Sequence, residues 1–128
     1  MREAMICEPL RTPVGGFGGA LRDVPAADLA AGVIKELMSR TGLSTEAIDD
    51  VVFGQGYPNG EAPDIGRVAA LDAGLPVSVT GLQVDRRCGS GLQAVEGNGI
   101  QVGGTGGSLY KGKVYHRGIQ AQGRGVGR

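Results

Sequence analysis

Apolar residues are distributed along the chain in two rhythms, short unbroken runs and stripes that recur every three or four positions, and the two rhythms take turns. The run Ala4 to Cys7 is followed by Pro9 and Pro13, which fits a buried strand leaving into a turn-rich loop. Between Pro25 and Thr41, Leu29, Val33 and Leu37 recur at every fourth position, Ala30, Ile34 and Met38 widen the stripe, and Gly42 follows. That spacing predicts an amphipathic helix with a glycine stop. Ser44 is placed to cap a short turn before Val51, Val52 and Phe53, a β-branched and aromatic run that ends at Gly54 and predicts a second strand. Asp64 predicts the cap of a second helix, with Ile65, Val68, Ala69 and Leu71 turned inward and Gly74 and Pro76 at its end. Leu82 and Val84 mark a third strand, and from Cys88 onward Leu92 and Val95 begin another helical stripe. Strands alternating with helices indicate an α/β layered fold with parallel pairing, built on about three strands. The cluster Gly15, Gly16, Gly18 and Gly19 around Phe17 reads as a tight structural loop rather than a ligand cradle.

Length narrows this to one modest domain or a piece of one. A chain of 128 residues, 41% of them apolar, buries about two-thirds of the surface that its unfolded form exposes. The apolar stretches are short and broken by Gly, Asp or Arg, far below the ~18 consecutive apolar residues of a membrane span. With two cysteines, Cys7 and Cys88, and no charged-then-apolar leader, a soluble protein in the reduced cytoplasm is expected.

Charge changes the picture of the last part of the chain. All 13 acidic residues and 8 of the 13 basic ones precede Gly106, while the last 23 residues carry five basic residues, no acid and seven glycines. No apolar period persists there. Residues 1–105 are therefore expected to form the folded part, and residues 106–128 an irregular, disordered, Gly-rich basic tail. Gly107 to Lys113 has the G-x-x-x-x-G-K spacing of a phosphate loop, but Val114 stands where a Ser or Thr would bind magnesium, and no apolar strand precedes it. Nucleotide binding is not expected. Nor is nucleic acid, although Tyr110 and Tyr115 lie among the basic residues, because a solvated cationic extension accounts for them.

The candidate chemistry is concentrated in VDRRCGSGLQAV, Val84 to Val95. There a cysteine follows a predicted strand and opens a predicted helix, where free N–H groups and the positive end of the macrodipole favour a thiolate, the nucleophilic form of sulfur. Gly89 and Gly91 leave the approach to Cys88 narrow but unobstructed, so a bulky thioester carbonyl has access. From the residues alone, a buried structural cysteine is the competing reading. Arg86 and Arg87 read as solvent-facing or subunit-contact residues, and no metal site or bound cofactor is expected.

Cys88-Gly89-Ser90-Gly91 followed by Leu92-Gln93-Ala94 resembles the nucleophile signature of the thiolase family. The resemblance runs in the family's order through Arg11-Thr12-Pro13 with Phe17-Gly18-Gly19, the helix beginning Asp28-Leu29-Ala30, Asp49 to Gly54, Gly66-Arg67 with Ala69, and Gly74-Leu75-Pro76. It spans nearly all of residues 2 to 95 and implies a partial thiolase-like layered fold, a mixed sheet with helices. It further implies that Cys88 attacks an acyl-CoA thioester and holds the acyl group until a carbanion derived from a second thioester takes it. This is ping-pong Claisen chemistry, reversible as thiolysis, with acetyl-CoA C-acetyltransferase or a longer-chain 3-ketoacyl-CoA thiolase as the parent activity. Coenzyme A enters as the thioester substrate. The main-chain N–H of Cys88 would belong to an oxyanion hole, with Gly89, Ser90 and Gly91 as the backbone support that shapes the turn. A homo-oligomer is implied, since members of the family are usually dimers or tetramers.

The resemblance ends before the chemistry is complete. The family's catalytic histidine and second cysteine come from a later part of its chain and have no counterpart here. The only histidine, His116, lies between Tyr115 and Arg117 in the basic stretch, and Cys7 reads as a core residue of the first strand. Gly97 and Gly99 fall within the helix that follows the nucleophile, where each interior Gly costs roughly 0.5–1 kcal/mol relative to Ala. Past Thr105 the pattern departs from the family's, as a truncated or altered reading frame would make it. The chain alone is accordingly expected not to turn over. A reading from another class is a non-catalytic thiolase-like protein whose basic tail binds anionic partners.

Overall fold

The computed structural model describes the backbone of residues 4–100, 107–110 and 116–121 and the side chains of residues 8–95. In chain order the elements are β1 (Ala4–Leu10), α1 (Ala26–Thr41), β2 (Asp50–Gly54), α2 (Ile65–Asp72), β3 (Thr80–Val84), α3 (Ser90–Ile100), β4 (Gly107–Tyr110) and β5 (His116–Ala121). They form one sheet in the order β1-β5-β4-β2-β3. β2 runs parallel to β3 and β1 parallel to β5, while β4 is antiparallel to both of its neighbours. The sheet is mixed, as expected, but has five strands instead of three. The two additional strands arise within residues 106–128, where the side-chain pattern indicates an irregular stretch. Ladder pairing is made by backbone N–H and C=O groups, so it can form without an apolar period to announce it.

The helices follow the pattern of apolar positions. α1 begins behind Pro25, ends at Gly42 in the left-handed conformation, and buries Ala30, Ala31, Val33, Ile34 and Leu37. α2 is capped as its sequence indicates, the Asp64 carboxylate accepting the Arg67 N–H at 3.1 Å; it buries Ile65, Gly66, Ala69 and Ala70. Leu71, expected inward, is 44% exposed. It lies six residues past Ile65 and two past Ala69, and at 100° per residue it is turned away from the face that those two define.

α1 and α2 pack against each other and share a core with Ile48, Val51, Phe53, Leu75 and Val79. α3 packs on β2, β4 and β5 and makes no described contact with α1 or α2 of the same order. β2 is consequently buried from Val51 to Gly54, as an interior strand covered by helices is. α2 lies directly on the β2–β3 pair: a Cβ at Gly66 would stand 2.7 Å from the carbonyl oxygens of Val51 and Leu82, and one at Gly81 would stand 2.3 Å from the Arg67 nitrogen. Only glycines at these two positions admit such an approach. The candidate chemistry lies beyond the C-terminal ends of β2 and β3.

Candidate active site

β2 and β3 are in continuous register from Asp50 with Thr80 to Gly54 with Val84, so their C-terminal ends lie side by side. The ladder continues one step, the Gln55 N–H donating to the Val84 carbonyl at 3.0 Å. From β3 the chain passes through Asp85 and Arg86 into a single 3-10 turn, Arg87–Gly89, and only then into α3. Cys88 therefore stands in this turn, whereas its sequence position indicates the opening residue of the α-helix. The reason is geometric. Arg87 adopts φ 49, a left-handed conformation that swings the chain sharply from strand to helix and delays the first α-helical residue to Ser90.

Cys88 is a free thiol and is exposed, which removes the reading of a buried structural cysteine. The glycines beside it leave it open: a Cβ at Gly89 would meet nothing closer than the Arg86 side chain at 3.8 Å, and one at Gly91 would meet nothing within 4 Å. The Cys88 N–H belongs to the 3-10 turn Arg87–Gly89.

The turn itself is tied by local hydrogen bonds. Ser90 is 1% exposed. Its hydroxyl accepts the Arg86 N–H at 2.7 Å and donates to the Arg87 carbonyl at 2.8 Å, so Ser90 shapes the turn from beneath. The Gly89 N–H donates to the Arg86 carbonyl at 2.9 Å. The Asp85 carboxylate accepts the Arg87 N–H at 3.0 Å through one oxygen and the Arg87 guanidinium at 2.5 Å through the other. That guanidinium also donates to the Gly56 carbonyl at 2.7 Å and stands 5.5 Å from the centre of the Tyr57 ring. The Arg86 guanidinium reaches the Gln93 side chain on α3.

Glycines seat the turn on the strand below. A Cβ at Gly54 would lie 2.2 Å from the Ser90 carbonyl oxygen and one at Gly56 3.0 Å from the Arg87 carbonyl oxygen, so the start of α3 rests on the backbone of β2. The helix face that meets β2 is made by Ser90 and Ala94, which are 1% and 0% exposed. Leu92, read from its spacing as part of an apolar helical stripe, is 68% exposed, because the space beneath the start of α3 at Gly54 leaves no room for a large side chain.

Arg86 and Arg87 are exposed, as expected, yet both are engaged in local hydrogen bonds. The role of Arg87 was not legible from residue type; the signal available was the Asp85-x-Arg87 spacing, which suits an aspartate that bonds the backbone two residues on. Cys7 and His116 fall on β1 and β5, and their side chains lie outside the described residues, as do residues 111–115 of the stretch with phosphate-loop spacing. A surface cleft of about 300 Å³ lined by Arg11, Thr12, Leu29, Glu36 and Arg40 includes none of the turn residues. Among the described residues, no group of three His, Cys, Asp or Glu is gathered as a metal site would need.

The family description "Thiolase, N-terminal domain" matches residues 4–104. The chain is 50% identical over 97 residues to the 3-oxoadipyl-CoA/3-oxo-5,6-dehydrosuberyl-CoA thiolase of Escherichia coli strain K12, an alignment that covers 74% of this chain and 24% of that protein. It is 40% identical over 96 residues to a probable acetyl-CoA acyltransferase of Staphylococcus aureus strain NCTC 8325, covering 75% of this chain and 24% of the other. The crystal structure of the Bacillus anthracis acetyl-CoA acetyltransferase superimposes with a TM-score of 0.75 at 36% identity, over 80% of this chain and 26% of that one. The chain thus spans about a quarter of the length of the relatives that it matches.

Proposed function

Since the chain belongs to the thiolase family through its N-terminal domain, we propose that it carries the acyl-accepting half of a thiolase reaction, with Cys88 as the nucleophile and an acyl-CoA thioester as the substrate. The observation that carries this reading is the placement of Cys88: exposed and flanked by open glycines, in a turn between a parallel strand and a helix. The Cys88 thiolate adds to the thioester carbonyl carbon, and when this tetrahedral adduct collapses the carbon's bond to the coenzyme A sulfur breaks, so that coenzyme A leaves as its thiolate. During attack the carbonyl oxygen becomes an oxyanion, and we assign the Cys88 N–H as a donor to it. Gly89, Ser90 and Gly91 support the backbone that aims this donor.

The second half of the reaction needs a base to deprotonate a second thioester and a donor for the resulting enolate. We assign the first half-reaction to the turn that carries Cys88. The thiolase-like part is assigned to residues 1–105, which the family match over residues 4–104 supports. Relatives named for acetyl-CoA and 3-oxoadipyl-CoA support acyl-CoA as the substrate class. β3 leaves an open sheet edge on which Leu82 is 48% exposed, and this supports assembly with a second copy. The free Cys88 thiol suits a reducing, cytoplasmic setting.

Acetoacetyl-CoA thiolysis, measured on a preparation whose folding is verified by circular dichroism, tests the assignment. No turnover is expected. Turnover that survives repurification and disappears in Cys88→Ala would show that the chain holds a complete active site.

A further inference from the structure

The geometry points to Arg87 as a positioning residue for Cys88, a latch that holds the nucleophile turn against the end of β2; this rests on the reading of Cys88 as the acyl acceptor. Three observations support it. Arg87 is held at φ 49, in a region that residues with a Cβ enter at a cost, so something must hold it there. Its backbone and side chain are gripped by one carboxylate, that of Asp85, which takes the Arg87 N–H at 3.0 Å and the guanidinium at 2.5 Å. The same guanidinium crosses to the loop after β2, donating to the Gly56 carbonyl at 2.7 Å and lying 5.5 Å from the Tyr57 ring centre.

These contacts form a closed loop of interactions. β2 leads through Gly56 to the guanidinium, the guanidinium through Asp85 to the end of β3, and both converge on the peptide that precedes Cys88. An arginine suits this place because its planar fork directs two N–H groups at two acceptors while its face rests on an aromatic ring. The side chain is 65% exposed and touches neither the Cys88 sulfur nor its N–H. Its effect is on where the Cys88 peptide points, and only a reaction with a strict geometric demand registers it.

Two reactions of Cys88 separate position from access. Acyl transfer from acetyl-CoA needs the sulfur and the N–H aligned on one carbonyl, whereas alkylation by iodoacetamide needs only an exposed thiol. In the full chain, Arg87→Met is expected to slow acylation of Cys88 by about tenfold or more while alkylation stays near the wild-type rate. Arg87→Gly, which occupies φ 49 freely but has no guanidinium, is expected to behave like Arg87→Met, and Arg87→Lys to recover part of the loss. Wild-type acylation in Arg87→Gly would show that only the backbone conformation matters and would overturn the latch. So would acylation and alkylation falling together. If the wild-type chain accepts no acyl group, the proposed function falls by itself, and hydrogen exchange of residues 85–90 decides on the latch. Faster exchange in Arg87→Met at unchanged circular dichroism supports it, and unchanged exchange overturns it.

Discussion

Gly54→Ala is the smallest change that strikes the packing beneath the turn that carries Cys88. The added methyl would stand 2.2 Å from the Ser90 carbonyl oxygen, 2.3 Å from its carbonyl carbon and 2.6 Å from the Gly91 nitrogen. Non-bonded heavy atoms rest at about 3.5–4.0 Å, so the start of α3 must move away from β2 by about 1 Å or more. The atoms in the way belong to the backbone, and no side chain can rotate to make room. Overpacking of this kind costs about 1–3 kcal/mol, and a displacement of about 1 Å at a reacting group can cost about a hundredfold in rate. The thermal or urea midpoint of Gly54→Ala should therefore fall while the protein stays folded at low temperature. Acetyl transfer from acetyl-CoA to Cys88 should fall by up to about a hundredfold, with iodoacetamide alkylation far less affected. A variant with wild-type stability and wild-type acylation would refute the reasoning, since it would mean that α3 does not rest on β2 at Gly54.

Three other substitutions test the surroundings. Ser90→Ala leaves the Arg86 N–H and the Arg87 carbonyl without their partner in a buried place and should destabilise by about 1–3 kcal/mol in urea titration; no loss would show that water replaces the hydroxyl. Asp64→Ala removes the cap of α2, and a loss of about 1 kcal/mol is expected in the same titration, with an unchanged midpoint counting against the cap. Gln55 is 5% exposed and its side-chain oxygen has no hydrogen-bond partner among the described residues. Gln55→Met keeps the volume and removes the unpaired carbonyl, so the urea midpoint should rise by about 1 kcal/mol's worth, and a fall would show that the amide is satisfied.

The elements whose apolar positions keep a clear period were legible in the chain. Leu29, Val33 and Leu37 define α1, Val51 to Phe53 define β2, and Asp64 sits where a cap is needed and bonds the Arg67 N–H. Errors of facing occurred where hydrophobicity and position disagreed. Leu71 and Leu92 are apolar yet exposed, because the faces of α2 and α3 that meet the sheet are reserved for Gly66, Ala69, Ser90 and Ala94, where backbones approach too closely for larger side chains. Pairing that depends on backbone groups alone was not legible, which is why β4 and β5 carry no sign in their side-chain pattern. Cys88 was singled out because its residue type, its glycine neighbours and its place after a strand all point to the same chemistry, and it stands exposed in the turn after β3. Arg87 was not, because its contacts join residues 31 positions apart at Gly56, and local pattern carries no record of such a separation.

Mass spectrometry of the peptides containing Cys88 and Cys7 after incubation with acetyl-CoA tests the central claim most directly. A chain verified as folded by circular dichroism should carry an acetyl group on Cys88 and none on Cys7, and the modification should be absent from Cys88→Ala. Acetylation of Cys7 in preference to Cys88, or an unmodified Cys88 in the folded chain, would contradict the assignment of Cys88 as the acyl acceptor.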